Sequence, residues 1–521
     1  MSHHKPDPNK SVNLTIDGIP VTVPEGTTIL EAAKKANVNI PSLCNYAGLG
    51  KRAVCRVCVV ECDGRGKLVP ACANEVWEGV SVVTNSFRLL NIRRTIIELL
   101  LNGHPPECLG CIKNKKCELQ TLAAAYGIRE APFRRNAADR RMPVTENKIL
   151  VRDMSKCIKC GRCVEVCQEL QTARAINTSR RSVNYEICTP YGQALDGGTC
   201  IFCCQCAAVC PVGAIFGYDQ SRDIETALHN NGLHIAAMIA PATVASMQGN
   251  SGFPPEKPGQ SPGAITSGKL VTALKRMGFD QIFDAGLFAE IAINEQGQEL
   301  LNRIKSRKSI NGEGKLRSGL PMITGCSPAL KRFIEKFYPD LGGCLPAGDG
   351  PGPVFRALLR KDYPRIKGID AEKIISISAM PCIAKKMEAR QTGDAVLPQT
   401  DFSLTPGELA GLIASSGMDL ANLPETPFDE FPRDSIPGHV YEAYAGNAFP
   451  PPNFKDAGER PGIKETEVDL NGTKISAIYI DSPANARPVL DAVRKGECNA
   501  DFIEINFCAM DCGCAKTGKG N

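Results

Sequence analysis

No apolar run in this 521-residue sequence approaches the twenty or so residues needed to cross a bilayer. The stretch Met1–Val12 lacks the apolar core of a secretory signal, so the expected compartment is the cytoplasm, with membrane contact only through partners. Neither a G-x-G-x-x-G fingerprint in a βαβ setting nor a P-loop is present, so pyridine nucleotide and flavin are expected on partners and not on this chain. Aromatic residues are scarce, at 6% with the single Trp77, and the formal net charge is only +5. The paired basic residues Arg93-Arg94, Arg134-Arg135, Arg140-Arg141 and Arg180-Arg181 are scattered and lack interleaved aromatics. They read as solvated faces, with a docking patch for an acidic redox carrier as the sharper alternative, and nucleic acid is not an expected partner.

Cysteine is the exception, with 25 residues grouped mostly at CxxC and CxxxC intervals. A chain this long needs no disulfide staples to hold a core. Such grouping fits metal ligation in a reducing, anaerobic compartment, where the thiols stay available as thiolates. Length alone predicts three or four domains. Residues 11–85 begin with two alternating runs, Val12–Ile16 and Val21–Val23, around the hairpin signal Asp17-Gly18, and Thr27-Thr28 caps a helix reaching about Ala36. A hairpin, a helix and cysteine-rich loops predict a β-grasp, ferredoxin-like domain. Residues 86–149 read as helical, with Leu89, Ile92, Ile96, Ile97, Leu99 and Leu100 near helical spacing. Residues 150–220 hold the one internal repeat. Over 225–521, apolar strands alternate with amphipathic helices, an α/β domain interrupted by two Pro- and Gly-rich loops, 249–263 and 446–462, that read as surface insertions. The expected fold is multidomain, α/β and α+β.

Four cluster sites follow from spacing. Cys157, Cys160, Cys163 and Cys167 form CxxCxxCxxxC, and Cys200, Cys203, Cys206 and Cys210 repeat it before Pro211. In runs of this kind the fourth cysteine ligates the other cluster. One [4Fe–4S] cluster is thus expected on Cys157, Cys160, Cys163 and Cys210, and a second on Cys167, Cys200, Cys203 and Cys206. Cys204 stands where glycine is usual and reads as a non-ligand. The bland alternative is eight buried cysteines without metal. Cys44, Cys55, Cys58 and Cys72 follow C-x10-C-x2-C-x13-C in the β-grasp context, the pattern of a [2Fe–2S] site, with zinc as the competing reading and Cys62 as a spare. His104, Cys108, Cys111 and Cys117 form HxxxCxxCxxxxxC, a third [4Fe–4S] site. A neutral imidazole in place of an anionic thiolate should raise its potential.

The order of these four sites resembles the N-terminal electron-input module shared by the large iron–sulfur subunit of complex I and by [FeFe]-hydrogenases. Further along, Gly268–Asp280, Thr324-Gly-Cys-Ser-Pro328, Met380-Pro-Cys-Ile-Ala-Lys-Lys386 and Ile503-Glu-Ile-Asn-Phe-Cys-Ala-Met-Asp-Cys512 resemble the hydrogenase domain and its three signature loops. The likeness extends over nearly the whole chain, and the sequence is similar to [FeFe]-hydrogenase catalytic subunits, especially those of flavin-linked bifurcating complexes. In that family the loops TSCCPxW, MPCxxK and ExMxCPGGCxxGG give four cysteines to a cubane, one of which bridges to the two-iron subsite of the H-cluster. The resemblance puts Cys382, Cys508 and Cys512 at three ligand positions and Ser327 at the fourth. Cys326 takes the proton-relay position, and Lys385 the position that contacts a subsite cyanide. Departures accumulate around this centre: Leu330 for the tryptophan of the first loop, Asn506 for methionine, Ala509-Met510-Asp511 for Pro-Gly-Gly, Gln296 for a relay glutamate while Glu299 survives, and Pro346 for the relay serine.

Those departures imply a degenerate H-cluster site. A serine oxygen is a harder, less common ligand for such clusters, and glutamine cannot carry a proton as glutamate does. Catalytic residues are therefore unknown, with Cys326, Lys385 and Glu299 as remnants. Cys382, Cys508, Cys512 and either Cys514 or Cys326 would hold a plain [4Fe–4S] cluster in place of the H-cluster; unmetallated remnants are the bland alternative. The resemblance implies an electron-wiring subunit of a flavin-based electron-bifurcating NAD(P)H/ferredoxin oxidoreductase, similar to bifurcating transhydrogenases. Its implied partners are a flavin- and NAD(P)-binding iron–sulfur subunit and a thioredoxin-like [2Fe–2S] subunit, with ferredoxin as carrier, in a dimer or tetramer of heterotrimers. The alternative is an active [FeFe]-hydrogenase subunit of a bifurcating complex. A redox sensor would need an output domain, and a stand-alone ferredoxin would leave about 300 residues without a role.

Overall fold

A computed structural model of the chain describes residues 7, 10–63, 68–130, 145–230, 232–249, 265–309, 319–348, 350–361, 363–390, 401–432, 455–456, 461–470 and 473–508. The chain divides into two units, one made of residues 1–169, 174–198 and 205–216, the other of 170–173, 199–204 and 217–521.

In the first unit, alternation decides the opening strands. Val12, Leu14 and Ile16 are buried on one face of β1 (Ser11–Ile16), and Val21 and Val23 on the matching face of β2 (Ile19–Pro24). The two strands pair antiparallel with Ile16 opposite Ile19. Asp17 and Gly18 both take positive φ, the two-residue turn whose twist suits a hairpin. Thr28 then caps α1 (Ile29–Lys35) in a capping box with Glu31. With β3 (Val59–Cys62), β4 (Leu68–Pro70) and β5 (Ser81–Val83) these form a five-stranded sheet of order β2-β1-β5-β3-β4, the expected β-grasp. The helical reading of 86–149 holds for α2 (Phe87–Asn102) and α3 (Glu118–Ala125), but the buried stripe of α2 is Leu89, Arg93 and Ile97, and Leu99 faces solvent. Arg93 is therefore not part of a solvated face: its guanidinium is buried and donates to the Val59 carbonyl at 2.6 Å. Helix also gives way to strand at β6 (Thr145–Glu146) and β7 (Leu150–Arg152), because β7 has a pairing partner on either side. The repeat region is built from α4 (Arg162–Glu165), the pair β8 (Asn177–Ser179) and β9 (Glu186–Cys188), and α5 (Gln205–Ala208); β10 (Ile215–Gly217) joins β7.

Among the described residues the second unit holds two sheets. In chain order its elements are α6 (Ser221–Leu228), β11 (His234–Ile239), α7 (Pro241–Gly249), α8 (Ser267–Met277), β12 (Gln281–Asp284), α9 (Ala285–Ser309), β13 (Met322–Thr324), α10 (Ala329–Phe337), α11 (Pro351–Lys361), α12 (Tyr363–Lys367), β14 (Ile374–Ala379), α13 (Lys386–Arg390), β15 (Asp401–Leu404), α14 (Pro406–Ser415), β16 (Lys455–Asp456), β17 (Ile463–Leu470), β18 (Thr473–Ile480), α15 (Pro483–Lys495) and β19 (Phe502–Ile505). Strands β12-β11-β14-β15 form an all-parallel sheet whose central β14 is buried along its whole length, as expected of a strand covered on both faces. The second sheet, β13-β19-β18-β17-β16, is mixed: β13, β19 and β18 run parallel, and β17 and β16 are antiparallel additions. The loop expected at 249–263 lies almost wholly outside the described residues, as does most of the one at 446–462. No helix of the described residues is long and apolar enough to cross a membrane.

Candidate functional site

The loop between α1 and β3 carries Cys44, Cys55 and Cys58, and Cys72 follows β4; all four are buried. Their thiols are within hydrogen-bonding reach of one another, Cys44 with Cys55 and Cys72, and Cys58 with Cys72. Contact with Cys55 and Cys72, aided by the amides of residues 54 and 55, draws Cys44 down to about 2. Contact with Cys44 and burial push Cys55 and Cys72 up. Cys62 is placed in β3 opposite Val82.

His104 follows the end of α2, and its Nδ1 is buried without a hydrogen-bond partner. Burial pushes its pKa down, which keeps the imidazole neutral, the form that ligates metal. Cys117 stands at the N-terminal end of α3, where the amides of Gln120 and Leu119 face its sulfur. Cys111 and Cys108 are close enough to act on it electrostatically. A Cβ on Gly213 would lie 2.7 Å from the Cys111 sulfur, so only glycine leaves room there. A buried orphan nitrogen and a glycine cradle beside a thiol both fit a bulky cofactor held by this set.

Cys157, Cys160, Cys163 and Cys210 together line one cavity, with Ile158, Ile187, Pro211, Val212, Ala214 and Ile215 as its apolar wall. Burial pushes Cys157 up to about 11 and Cys160 up to about 12, so these thiols need a cation to ionise. The two runs repeat in backbone as well as in spacing. Lys159 and Phe202 both take positive φ, and their amides donate to the sulfurs of Cys157 at 3.3 Å and Cys200 at 3.4 Å. Gly161 and Cys204 share the next left-handed position, which is why glycine is usual there. The Cys204 thiol donates to the Phe202 carbonyl at 3.3 Å. Cys167 accepts from the Ala175 amide at 3.3 Å. Cys167 and Cys206 belong to the first unit, and Cys200 and Cys203 to the second. Cysteine spacing carried no signal for Arg162, a buried residue whose guanidinium binds Glu118; its counterpart in the repeat is Gln205.

In the second unit the three expected loops leave the C-terminal ends of parallel strands, the end at which open α/β sheets bind ligands: 324–328 after β13, 380–386 after β14 and 506–508 after β19. β13 and β19 are neighbours, with Thr324 opposite Glu504. A Cβ on Gly325 would come within 2.5 Å of the Ile505 carbonyl oxygen, so the first loop presses directly on the end of β19. Cys326 is exposed, Cys382 half-buried and Cys508 buried; Cys512, Cys514 and the Ala509-Met510-Asp511 substitution lie outside the described residues. Ser327 is buried and its hydroxyl accepts from the Ala329 amide at 3.3 Å, at the start of α10. Lys385 pairs with Glu388 at 2.6 Å. Burial works against that charge, but Glu388, with Cys382 and Cys326 nearby, raises its pKa above the ordinary lysine value. Next along the chain, Lys386 is fully buried and paired with Glu408 at 2.9 Å. Glu299 is paired with Arg303 and accepts from the Ala347 amide at 3.0 Å, which brings it beside Pro346.

Residues 233–517 match the family described as the iron-only hydrogenase large subunit, C-terminal domain. Residues 9–86 match a 2Fe–2S iron–sulfur cluster binding domain, 93–132 the NADH-ubiquinone oxidoreductase-G iron–sulfur binding region, and 150–169 a 4Fe–4S binding domain. The chain is 35% identical to the NADP-reducing hydrogenase subunit HndD of Solidesulfovibrio fructosivorans, across 96% of this chain and 87% of that protein. It is 30% identical to iron hydrogenase 1 of Clostridium pasteurianum, with the same coverage of each. Its N-terminal part is 37% identical to the NADPH-Fe(3+) oxidoreductase subunit alpha of Geobacter sulfurreducens, across 39% of this chain and 24% of that protein.

Proposed function

The chain belongs to the iron-only hydrogenase large-subunit family, and from that premise we propose that it is the iron–sulfur electron-transfer subunit of a flavin-based electron-bifurcating NAD(P)H/ferredoxin oxidoreductase that does not itself turn over hydrogen. It is an oxidoreductase subunit carrying 2Fe–2S and 4Fe–4S binding domains. The cofactor complement of this reading is one [2Fe–2S] cluster on Cys44, Cys55, Cys58 and Cys72, and three [4Fe–4S] clusters on the His104, Cys157 and Cys167 sets. A further [4Fe–4S] cluster stands in place of the H-cluster, on Cys382, Cys508, Cys512 and either Cys514 or Cys326. Bound, these groups supply one-electron storage and transfer. The chain's own residues shape their surroundings: amides face the sulfurs, the apolar wall around Cys157 and Cys210 keeps water from that site, and Gly213 clears space beside Cys111. The four domains are 11–85, 86–149, 150–220 and 225–521, in a cytoplasmic complex with a flavin- and NAD(P)-binding subunit and a thioredoxin-like [2Fe–2S] subunit.

The observation that carries the reading is Ser327. At the family's fourth ligand position stands a hydroxyl that is buried and engaged as acceptor for the Ala329 amide. Glu299, the retained relay position, is likewise held by Arg303 and Ala347, next to the proline and glutamine that interrupt a proton path. The identity of 35% with a hydrogenase subunit along nearly the whole chain favours the second reading, an active bifurcating hydrogenase. Infrared spectroscopy of the anaerobically matured complex separates them. The first reading expects no carbon monoxide or cyanide stretches and no hydrogen evolution; both signals together would overturn it in favour of the second.

A further inference from the structure

Arg162 lies between Cys160 and Cys163 and is only 2% exposed. Its guanidinium grips Glu118 with two prongs, at 2.7 and 2.9 Å, and Glu118 adjoins Cys117 of the His104 set. Nη2 also donates to the carbonyl of Asn45 at 2.9 Å, beside Cys44, and Nη1 reaches the carbonyl of Val209 at 3.4 Å, beside Cys210. The Tyr46 ring lies 5.2 Å from the guanidinium carbon. Nε is buried with no partner. A single cation therefore touches a neighbour of a ligand in each of three sites. Burying an arginine is costly unless anions surround it. Glu118 offsets this only partly, because 43% of its side chain faces water. Cys160 and Cys44 lie close enough to act on it electrostatically, and as cluster thiolates they would supply further negative charge. At the equivalent position of the second run the repeat has Gln205, buried but neutral, so the two runs differ by one full charge at this point.

We infer that Arg162 is a positioning residue that serves as the shared counter-cation of three cluster sites, those of Cys44, His104 and Cys157. It ties the three ligand loops together and sets all three reduction potentials higher than they would be beside a neutral residue. Reduction adds negative charge to a cluster, and a desolvated cation at short range favours that state. The inference rests on the cluster reading of these cysteines.

The test is an EPR-monitored redox titration of the full chain, prepared anaerobically with its clusters, as wild type and as Arg162→Gln, Arg162→Lys and Glu118→Gln. Iron and sulfide content is measured on each sample, so a wild-type chain without clusters would sink the cluster reading and be recognised as such. The glutamine variant copies what the second run already carries at Gln205. At unchanged iron content it should move all three potentials to more negative values, and the lysine variant should recover most of that shift. Glu118→Gln, which removes the competing anion, should move all three potentials upward, the His104 site most. Unchanged potentials in a fully loaded Arg162→Gln protein, or a shift at one site alone, would overturn the shared role. If that variant loads poorly, Glu118→Gln decides: upward shifts at all three sites, as the shared cation loses its paired anion, support the inference, and no shift, or one confined to the His104 site, refutes it.

Discussion

A thiol that donates to a carbonyl differs chemically from a sulfur that accepts from amides, and this separates Cys204 from Cys157, Cys167 and Cys200. Cys204 gives its hydrogen to Phe202, whereas Cys157, Cys167 and Cys200 accept from backbone N–H groups. The sequence rule that exchanges the fourth cysteines between runs predicts Cys210 as a partner of Cys157, Cys160 and Cys163, and all four line one cavity. Cys210→Ser should therefore lower iron content by about four atoms per chain, the content of one cubane. Cys204→Ser should leave the count unchanged. Iron and acid-labile sulfide assays on the two variants check this, and equal losses in both would refute the assignment. That Cys157, Cys160, Cys163 and Cys210 come together around one cavity was legible because the spacing along each run fixes the turn. Arg162 and Arg93 were not, since their burial depends on Glu118, Asn45 and Val59, which lie far away in sequence.

Among elements, α1 is the clearest case of local chemistry deciding structure. Thr28 accepts from the Glu31 amide, and the Glu31 carboxylate accepts from the Thr28 amide at 2.9 Å. That amide, opposed by burial and helped by the Thr28 hydroxyl, Lys51 and Lys34, holds the Glu31 pKa below the ordinary value. A folded-state pKa below the unfolded one gives stability that is complete above about pH 5 and is lost as pH falls through the depressed value. Thr28→Ala should cost about 1 kcal/mol of helix stability. Glu31→Gln should remove the acid-side weakening specific to this helix. Hydrogen exchange of the 29–35 amides, followed between pH 7 and the acid limit, reads both effects locally; a pH dependence unchanged in Glu31→Gln would refute the cap's role. The hairpin, this helix and the alternation of strands with helices beyond 225 were legible because each rests on short-range pattern. The strand orders β12-β11-β14-β15 and β13-β19-β18-β17-β16 were not, because crossovers are settled by packing between distant segments. The short strands β6 and β7 were missed for the same reason: two or three residues carry no period of their own, and β7 exists by virtue of its neighbours.

For the whole molecule, the proposal turns on how many clusters the chain holds and on what it lacks alone. Four N-terminal clusters with a plain cubane in the C-terminal unit would total about eighteen irons per chain, and an empty C-terminal site about fourteen. The described part of that site has Cys382 and Cys508 at the ends of parallel strands, with Ser327 committed to the start of α10. Eighteen is the expected count in anaerobically purified chain. A fall toward fourteen in Cys508→Ser, with the N-terminal EPR signals intact, would place the missing cluster there. Neither a dinucleotide fingerprint nor a P-loop occurs in the sequence, so the isolated, fully loaded chain should show no saturable binding of NADH or NADPH and no reduction by either. Reduction should appear only when the flavin-carrying partner is added. Calorimetry and cluster bleaching by reduced nucleotide, measured with and without that partner, test the division of labour. Bleaching of the isolated chain by NADPH at a catalytic rate would show that the nucleotide site lies on this polypeptide and that the proposed wiring role is wrong.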